Sequence, residues 1–175
     1  IELAIEYDVK IGAHPSYFDL KGFGRRKINL ELNELESIIL YQVSALKGIT
    51  ESYGKKLHHI KPHGALYNMA SINDDIAETI VLSIKKIDPN LKLYGPSKMK
   101  WKEISKKHKI EYVSEVFSDR NYNDNLTLVD RNNENSMITD INNSINHLSR
   151  MIDKGKVKTI NKKLIDIDAE TICIH

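Results

Sequence analysis

Two short motifs of this sequence each place a histidine directly after an apolar run. The first is Gly12-Ala13-His14-Pro15, and the second is Lys61-Pro62-His63-Gly64. Imidazole side chains can bind a divalent metal or transfer protons when a carboxylate lies close to them. A single histidine is more simply explained as a structural residue, but the repetition favours a functional site around His14 and His63. The remaining internal histidines are interpreted as surface, structural or packing residues, and these are His58, His59, His108 and His147.

Further ionisable side chains stand at the ends of other predicted strands. Lys61 precedes the second histidine, Glu115 lies in a later apolar run, and His175 closes the last one. Lysine stabilises developing negative charge, and a carboxylate with imidazoles can position or deprotonate water. We therefore predict that the catalytic residues are His14, Lys61, His63 and Glu115. Structural alternatives stay open for Lys61, which could extend to solvent, and for Glu115, which could be a cap or an ion-pair partner.

Two loops supply groups that suit an anionic ligand. A guanidinium matches two oxygens of a carboxylate or a phosphate. We predict substrate-binding residues in the loops that follow the first strand and Glu115, and these are Asp19, Arg25, Arg26, Asp119, Arg120 and Tyr122. Gly22-Phe23-Gly24 resembles half of a phosphate-binding loop, but no helix is predicted directly after it, so it indicates a nucleotide loop only weakly.

The elements that must position these residues alternate between strands and helices. Residues 9–13 and 57–60 form apolar runs typical of short buried strands, and apolar residues recur at helical spacing between 32 and 53. This order implies parallel pairing, because parallel neighbours need a long crossover. Parallel strands end at the same edge of a sheet, where α/β proteins build their sites. His14 and His63 should therefore lie on one edge.

The remaining pattern continues this alternation. It predicts helices near residues 73–87, 98–108 and 140–151, strands at 91–94, 111–116 and 171–174, a polar loop over 117–136, and a strand or hairpin over 156–168. The predicted fold class is α/β with a mainly parallel sheet of five or six strands. A closed eight-unit barrel needs roughly 250 residues, so 175 residues suit either an open sheet or part of a barrel.

The composition restricts the partners and the setting of this chain. A formal net charge of +2 is too small to indicate nucleic-acid binding, and no apolar stretch suggests a membrane span. Cys173 is the single cysteine, which excludes an internal disulfide and suits a reducing, cytoplasmic setting. The sequence lacks an initiator methionine and stops after a buried strand. We expect residues 1–175 to form a single domain, an internal fragment of a longer barrel that lacks its first strands and its C-terminal end.

Several motifs resemble the LamB/YcsF family, in order and across nearly all of the chain. They are residues 11–17 (IGAHPSY), 19–26 (DLKGFGRR), 40–42 (LYQ), 59–68 (HIKPHGALYN), 114–122 (SEVFSDRNY), 126–129 (LTLV) and 170–175 (ETICIH). The resemblance implies a distorted β/α barrel of the glycoside hydrolase/deacetylase type. All of the site residues predicted above lie within these motifs.

The resemblance also implies an activity and partners. It implies ATP-dependent cleavage of 5-oxo-L-proline to L-glutamate, in which ATP and water give ADP and phosphate. A chain of this family would act as the A subunit of a 5-oxoprolinase, beside partner subunits B and C. Two alternatives stay open. The first is a metal-dependent deacetylase-type hydrolase, in which His14, His63 and a carboxylate would hold a divalent metal, and the second is a non-catalytic binding subunit.

Overall fold

The computed structural model describes residues 1–174, and the predicted strand-end His175 lies outside the described residues. In chain order the elements are α1 (Glu2–Glu6), β1 (Gly12–Ala13), α2 (Leu32–Ser52), β2 (His59–Ile60), α3 (Gly64–Ala70), α4 (Asp74–Ile87), β3 (Lys92–Pro96), α5 (Trp101–His108), β4 (Tyr112–Phe117), α6 (Ile141–Lys154), β5 (Lys156–Lys158), β6 (Leu164–Asp166) and β7 (Thr171–Cys173).

Five strands form one parallel sheet in the order β1-β2-β3-β4-β7. The spatial order follows the chain order, so each crossover moves the chain to the next position in the same direction. Right-handed crossovers of this kind place the helices on one face, and the twisted sheet curls around the other face. The prediction of an α/β fold with a mainly parallel sheet of β/α-barrel type is confirmed.

The pleat of the sheet separates the strand residues into an outer and an inner face. Ala13, Ile60 and Leu93 are aligned across β1, β2 and β3, and all three are buried in the core under the helices. The alternate positions point to the inner face, because successive strand residues face opposite sides. Those positions include His59, Lys61, Tyr94, Glu115, Phe117 and Cys173.

The long helix α2 has nearly the bounds that the sequence predicts, since it spans Leu32–Ser52 and the helical spacing runs from 32 to 53. Glu34 accepts a hydrogen bond from the backbone N–H of Glu31 at 3.3 Å, which closes a capping box at the first turn. Its buried stripe includes Leu35, Ile39 and Val43, which pack in the core. This stripe holds the crossover helix between β1 and β2 against the core.

Other elements refine the sequence expectations. The hairpin over 156–168 is formed by β5 and β6, which pair antiparallel, with Lys162 in the left-handed region at the turn. The side chain of Asp140 caps helix α6 by accepting from the backbone N–H of Asn143, and the helix stops at Gly155.

Helix α3 is an element that the sequence pattern does not predict. Within residues 1–174, none of the helices combines the length and the apolar character that a bilayer crossing would need.

Candidate functional site

Backbone pairing beyond the strands brings the two histidine motifs together. The N–H of Lys61 donates to Ala13 O and the N–H of His63 donates to Pro15 O, each at 2.9 Å. The parallel ladder between β1 and β2 thus continues past the end of both strands. His14 and His63 are therefore neighbours on one edge of the sheet, as the sequence predicts.

Gly64 allows the His63 motif to approach the loop that follows β1. The N–H of Ala65 donates to Gly24 O at 2.9 Å, and a Cβ on Gly64 would lie 2.6 Å from the same oxygen. Gly64 also has a φ of +53°, in the region that glycine adopts most readily. A larger residue here would separate His63 from Phe23, whose carbonyl it contacts.

The two imidazoles form one hydrogen-bonded chain. His63 Nδ1 lies 2.9 Å from His14 Nε2, and His63 Nε2 lies 2.7 Å from Phe23 O. His14 Nδ1 meets the carbonyl oxygen of Lys61. A carbonyl only accepts, so each outer nitrogen must carry a proton, and the contact between the rings needs one more. For all three contacts to be hydrogen bonds at once, the pair would hold one proton more than two neutral rings do.

Lys61 extends over the inner face and contacts two other strands. Its Nζ lies 2.7 Å from Glu115 Oε1 and 2.8 Å from Cys173 Sγ, and it stands 5.0 Å from the centroid of the Phe117 ring. Burial acts to lower the pKa of Lys61, but the carboxylate of Glu115 and the sulfur of Cys173 outweigh it and raise this pKa. Lys61 therefore remains a cation at the centre of the site.

Glu115 is the buried acid of the site. Its side chain is 3% exposed. Burial raises the pKa of Glu115, and the attraction of Lys61 offsets only part of that rise. A carboxyl group with a raised pKa, beside a cation and close to a cavity, is suited to proton transfer. Burial also raises the pKa of the Cys173 thiol, so this sulfur is not an activated nucleophile.

The loop after β1 is held by an ion pair between Asp19 and Arg26. The guanidinium hydrogen bonds to both carboxylate oxygens, and the N–H of Gly22 donates to Oδ1 at 3.0 Å. The hydrogen bonds from Arg26 are the main reason that the pKa of Asp19 falls to about 2. Asp19 thus fixes the loop, while Arg26 also lines the neighbouring cavity.

A cavity of about 400 Å³ opens between the histidine pair and the loop over residues 118–136. Its volume is within the range of small-molecule sites. Basic side chains dominate its polar lining, and these are Arg25, Arg26, Lys61, Arg120 and Arg131. Asp130 is its one acidic lining residue within the described part of the chain. A cavity of this charge favours an anionic ligand.

The other predicted substrate-binding residues stand outside this cavity or support its wall. Arg120 is buried and donates to Val129 O at 2.6 Å and to Ser136 O at 3.3 Å. The hydroxyl of Tyr122 accepts a hydrogen bond from the N–H of Phe117 at 2.9 Å. Asp119 is buried at the start of the same loop. Their predicted role in binding substrate stays a prediction, and the structure adds a role in shaping the loop.

Sequence reasoning misses several residues that the structure brings to the site. They are Tyr67, Asn68, Phe117, Cys173 and Arg131. Phe117 and Cys173 could have been found from the alternation along β4 and β7, since each lies two residues beyond an inner-face position. Arg131 gives no such signal, because its place depends on the folding of a long polar loop.

His59 occupies the inner face below this site. Its ring stacks on Tyr94 with the centroids 4.1 Å apart, which agrees with its interpretation as a packing residue. His59 and Lys61 are two residues apart along the chain, so both side chains point to the inner face of the sheet. Burial is the main cause that lowers the pKa of His59 to about 4, with a contribution from the nearby His58. His59 is therefore neutral near pH 7.

A metal site would need several histidine, cysteine or carboxylate side chains close together. Among residues 1–174 there is no group of three or more histidine, cysteine, aspartate or glutamate side chains arranged to hold a metal ion. His14 and His63 hydrogen bond to each other, so their adjacent nitrogens are engaged. Among the described residues, His14 and His63 thus form a hydrogen-bonded pair.

Comparisons with known proteins agree with this architecture. The A subunit of 5-oxoprolinase from Bacillus cereus (strain Q1) is 41% identical over 176 residues, which cover the whole of this chain and 70% of that protein. The protein of the same name from Bacillus cytotoxicus is also 41% identical, and the match covers 69% of it. A crystal structure of the lactam utilization protein from Thermus thermophilus aligns with a TM-score of 0.91 and 37% identity, over 99% of this chain and 70% of that one.

The family comparison covers the chain from end to end. The sequence profile of the LamB/YcsF family matches residues 1–175. The motif that surrounds His63 and the segment that contains Glu115 both lie inside this match. The resemblance found in the sequence is thereby confirmed, and this chain belongs to the LamB/YcsF family.

Proposed function

We propose that this chain carries the lactam-cleaving site of an ATP-dependent 5-oxoprolinase and acts as the A subunit of that enzyme in the cytoplasm. The names of its relatives support a role in lactam metabolism. The observation that carries the proposal is the convergence of Lys61, Glu115 and the pair of His14 and His63 beside one cavity rich in arginine.

The chemistry of a lactam explains why ATP would be consumed. The amide is stabilised by resonance, and water attacks it slowly. Transfer of the terminal phosphoryl group of ATP to the lactam oxygen releases ADP and makes the ring carbon electrophilic. Water then adds to that carbon, and the ring C–N bond breaks as the nitrogen takes up a proton. Hydrolysis of the resulting acyl phosphate gives glutamate and phosphate.

The residues of the site match the needs of these steps. Lys61 stabilises negative charge that develops on oxygen, and Glu115 accepts a proton from the attacking water. The proton held between His14 and His63 can be delivered to the ring nitrogen as it leaves. Arg25 and Arg131 lie at the cavity and would bind the carboxylate or the phosphoryl group.

The partners of the reaction belong to the same proposal. The relatives are named as the A subunit of their enzyme, which implies a complex of several subunits. We take these partners to be subunits B and C, and we take ATP to be a co-substrate of the whole complex. The substrate would be 5-oxoproline, with neither nucleic acid nor a membrane required.

The decisive experiment is a reconstituted assay with the full-length chain and subunits B and C. Glutamate release from 5-oxoproline should require ATP and should fall at least about 100-fold in the variant His63→Ala. The matched control is His108→Ala, which removes a histidine that pairs with Glu78 and does not line the cavity. Turnover without ATP that is lost on chelation would instead support the metal-dependent hydrolase. Absence of turnover in the complete mixture would support a binding subunit.

A further inference from the structure

Tyr67 and Glu115 present two buried polar atoms that meet without completing a hydrogen bond. Tyr67 is 4% exposed and Glu115 is 3% exposed. The hydroxyl of Tyr67 and Oε2 of Glu115 are both buried, and neither atom has a hydrogen-bond partner among residues 1–174. A buried polar group left unsatisfied costs about 1–3 kcal/mol, so this arrangement calls for an explanation.

The two orphaned atoms are chemically complementary. A tyrosine hydroxyl can donate a proton, and a carboxylate oxygen can accept one. Burial raises the pKa of Tyr67 well above its usual value, and the negative charge of Glu115 adds to this rise, so the hydroxyl keeps its proton. The hydroxyl in turn acts on Glu115 in the same direction as Lys61, by favouring the ionised carboxylate. Tyr67 and Glu115 also line one cavity together, so the two groups lie close to each other.

The position of Tyr67 links Glu115 to the histidine pair. Tyr67 lies in the first turns of α3, and its N–H is bonded to His63 O at 3.4 Å. Its ring packs against Trp101 and Phe117, with centroids 5.7 and 5.8 Å away. The ring is thus held between the His63 motif and β4, the strand that carries Glu115.

Tyr67 also forms part of the walls of two neighbouring cavities. It lines the cavity of about 400 Å³ that contains Lys61, and it lines a second one of about 360 Å³ that contains Glu115. A ligand that fills the first cavity would press on the ring from the side of Lys61. The unsatisfied pair therefore lies where occupancy of the site can be transmitted to the carboxylate.

We propose that Tyr67 is a positioning residue of the reaction, whose hydroxyl donates to Glu115 Oε2 when the cavity is occupied and holds Oε1 against Lys61. This inference rests on the proposed function, which makes Glu115 the base that accepts a proton from water. Without the hydroxyl, the carboxylate can turn away from Lys61, and its proton affinity rises. The hydroxyl of Tyr67 acts through Glu115 and exchanges no proton with the substrate.

The test compares Tyr67→Phe with wild type in the reconstituted complex. We expect kcat to fall about tenfold, equivalent to the loss of one hydrogen bond to a charged group, with little change in KM. The acid limb of the pH profile should move to higher pH. The matched control is Tyr17→Phe, which removes the hydroxyl of a tyrosine that is 3% exposed and lies in the loop after β1. An unchanged profile in Tyr67→Phe would overturn the inference.

A second measurement is independent of turnover. The carboxyl carbon of Glu115 can be followed by 13C NMR in the full-length chain, with saturating sulfate as the anion that fills the arginine-rich cavity and with Glu115→Gln to identify the signal. Its titration midpoint should move to higher pH in Tyr67→Phe and to lower pH in Tyr67→3-fluorotyrosine, which keeps the ring and makes the hydroxyl a stronger donor. Identical midpoints in all three proteins would refute the contact. If these shifts occur while wild type fails to cleave 5-oxoproline, the contact stands and the proposed function fails.

Discussion

Lys61 and Glu115 form an ion pair across the inner face of the sheet, with 2.7 Å between Nζ and Oε1. Lys61 directly follows β2 and Glu115 lies in β4, and β3 separates these two strands. A pair that spans an intervening strand is possible because the sheet curls inward and because lysine is long. The pair thus links β2 to β4 across β3, at the edge where the site lies.

Replacement of Lys61 by methionine should destabilise the protein by about 3 kcal/mol or more. The change leaves Glu115 buried without its cation, while the methionine occupies a similar volume. Urea denaturation of the full-length chain measures the effect. The control is Lys92→Met, which removes an exposed pair with Glu111 and should cost at most about 1 kcal/mol. Equal costs in the two variants would show that the Lys61 pair is not effectively buried.

The double variant Lys61→Met with Glu115→Leu separates stability from activity. It removes both charges, so most of the stability lost in Lys61→Met should return. Turnover of 5-oxoproline should remain absent, because the proposed reaction needs both groups. Recovery of turnover together with stability would contradict the chemical role of the pair.

The pair of His14 and His63 should carry three nitrogen-bound protons when all three of its contacts are hydrogen bonds. Two of the ring nitrogens each face a carbonyl oxygen, which can only accept a hydrogen bond, and the other two nitrogens face each other. Three hydrogen bonds therefore need three protons. Nitrogen NMR on the 15N-histidine-labelled chain can assign the protonation of each ring, with His14→Gln and His63→Gln to identify the signals. Spectra of two ordinary neutral rings at pH 7 would refute the shared proton.

Stability should fall as the pH is lowered from 7.5 to 5, partly because of His59. Its folded-state pKa of about 4 lies below the ordinary value of 6.5. Between these values the unfolded chain binds a proton that the folded chain does not, at a cost of at most about 1.4 kcal/mol per pH unit. The contribution of His59 is therefore present above pH 6.5 and is lost as the pH falls toward 4.

The variant His59→Phe isolates this contribution, because phenylalanine can keep the stacking on Tyr94. Its unfolding free energy should depend less steeply on pH than that of wild type, when both are measured by urea denaturation. Some slope will remain, since burial also lowers the pKa of His58 and of His147. An identical slope in the two proteins would mean that His59 takes up its proton equally well in the folded chain.

The central site could be predicted because its residues follow strands that are visible in the sequence. The apolar runs before His14 and His63 predict strands, and parallel pairing then places both residues on one edge. Tyr67 could not be found in the same way. It lies in α3, a helix of seven residues that is too short to show an apolar period and that begins at Gly64 with its positive φ.

The loop over residues 118–136 shows a different limit of sequence reasoning. Residue type alone predicts Arg120 and Tyr122 as groups able to bind an anion. In the fold the side chains of both residues are hydrogen bonded to nearby backbone groups. Arg120 donates to Val129 O, and the hydroxyl of Tyr122 accepts from the N–H of Phe117. Of the two arginines of this loop that line the cavity, Arg131 is the exposed one, and its place depends on the hydrogen bonds within the loop, which no local pattern records.

Arg131 should determine the affinity for the anionic substrate. Its side chain is exposed at the cavity, and its guanidinium can bind two oxygens of a carboxylate. The variant Arg131→Gln should raise KM for 5-oxoproline about tenfold while kcat changes little, because the lost contact acts on bound substrate and transition state alike. The unfolding free energy should change by no more than about 0.5 kcal/mol.

Two further variants make the assignment of Arg131 specific. Arg131→Lys keeps the charge but not the paired donors, so its KM should lie between those of wild type and Arg131→Gln. Arg150→Gln removes an arginine of α6 that lines a separate groove and should leave KM unchanged. If Arg131→Gln and Arg150→Gln gave the same KM, the effect would come from the overall charge of the protein. Only a rise confined to position 131 places the substrate anion at this side of the cavity.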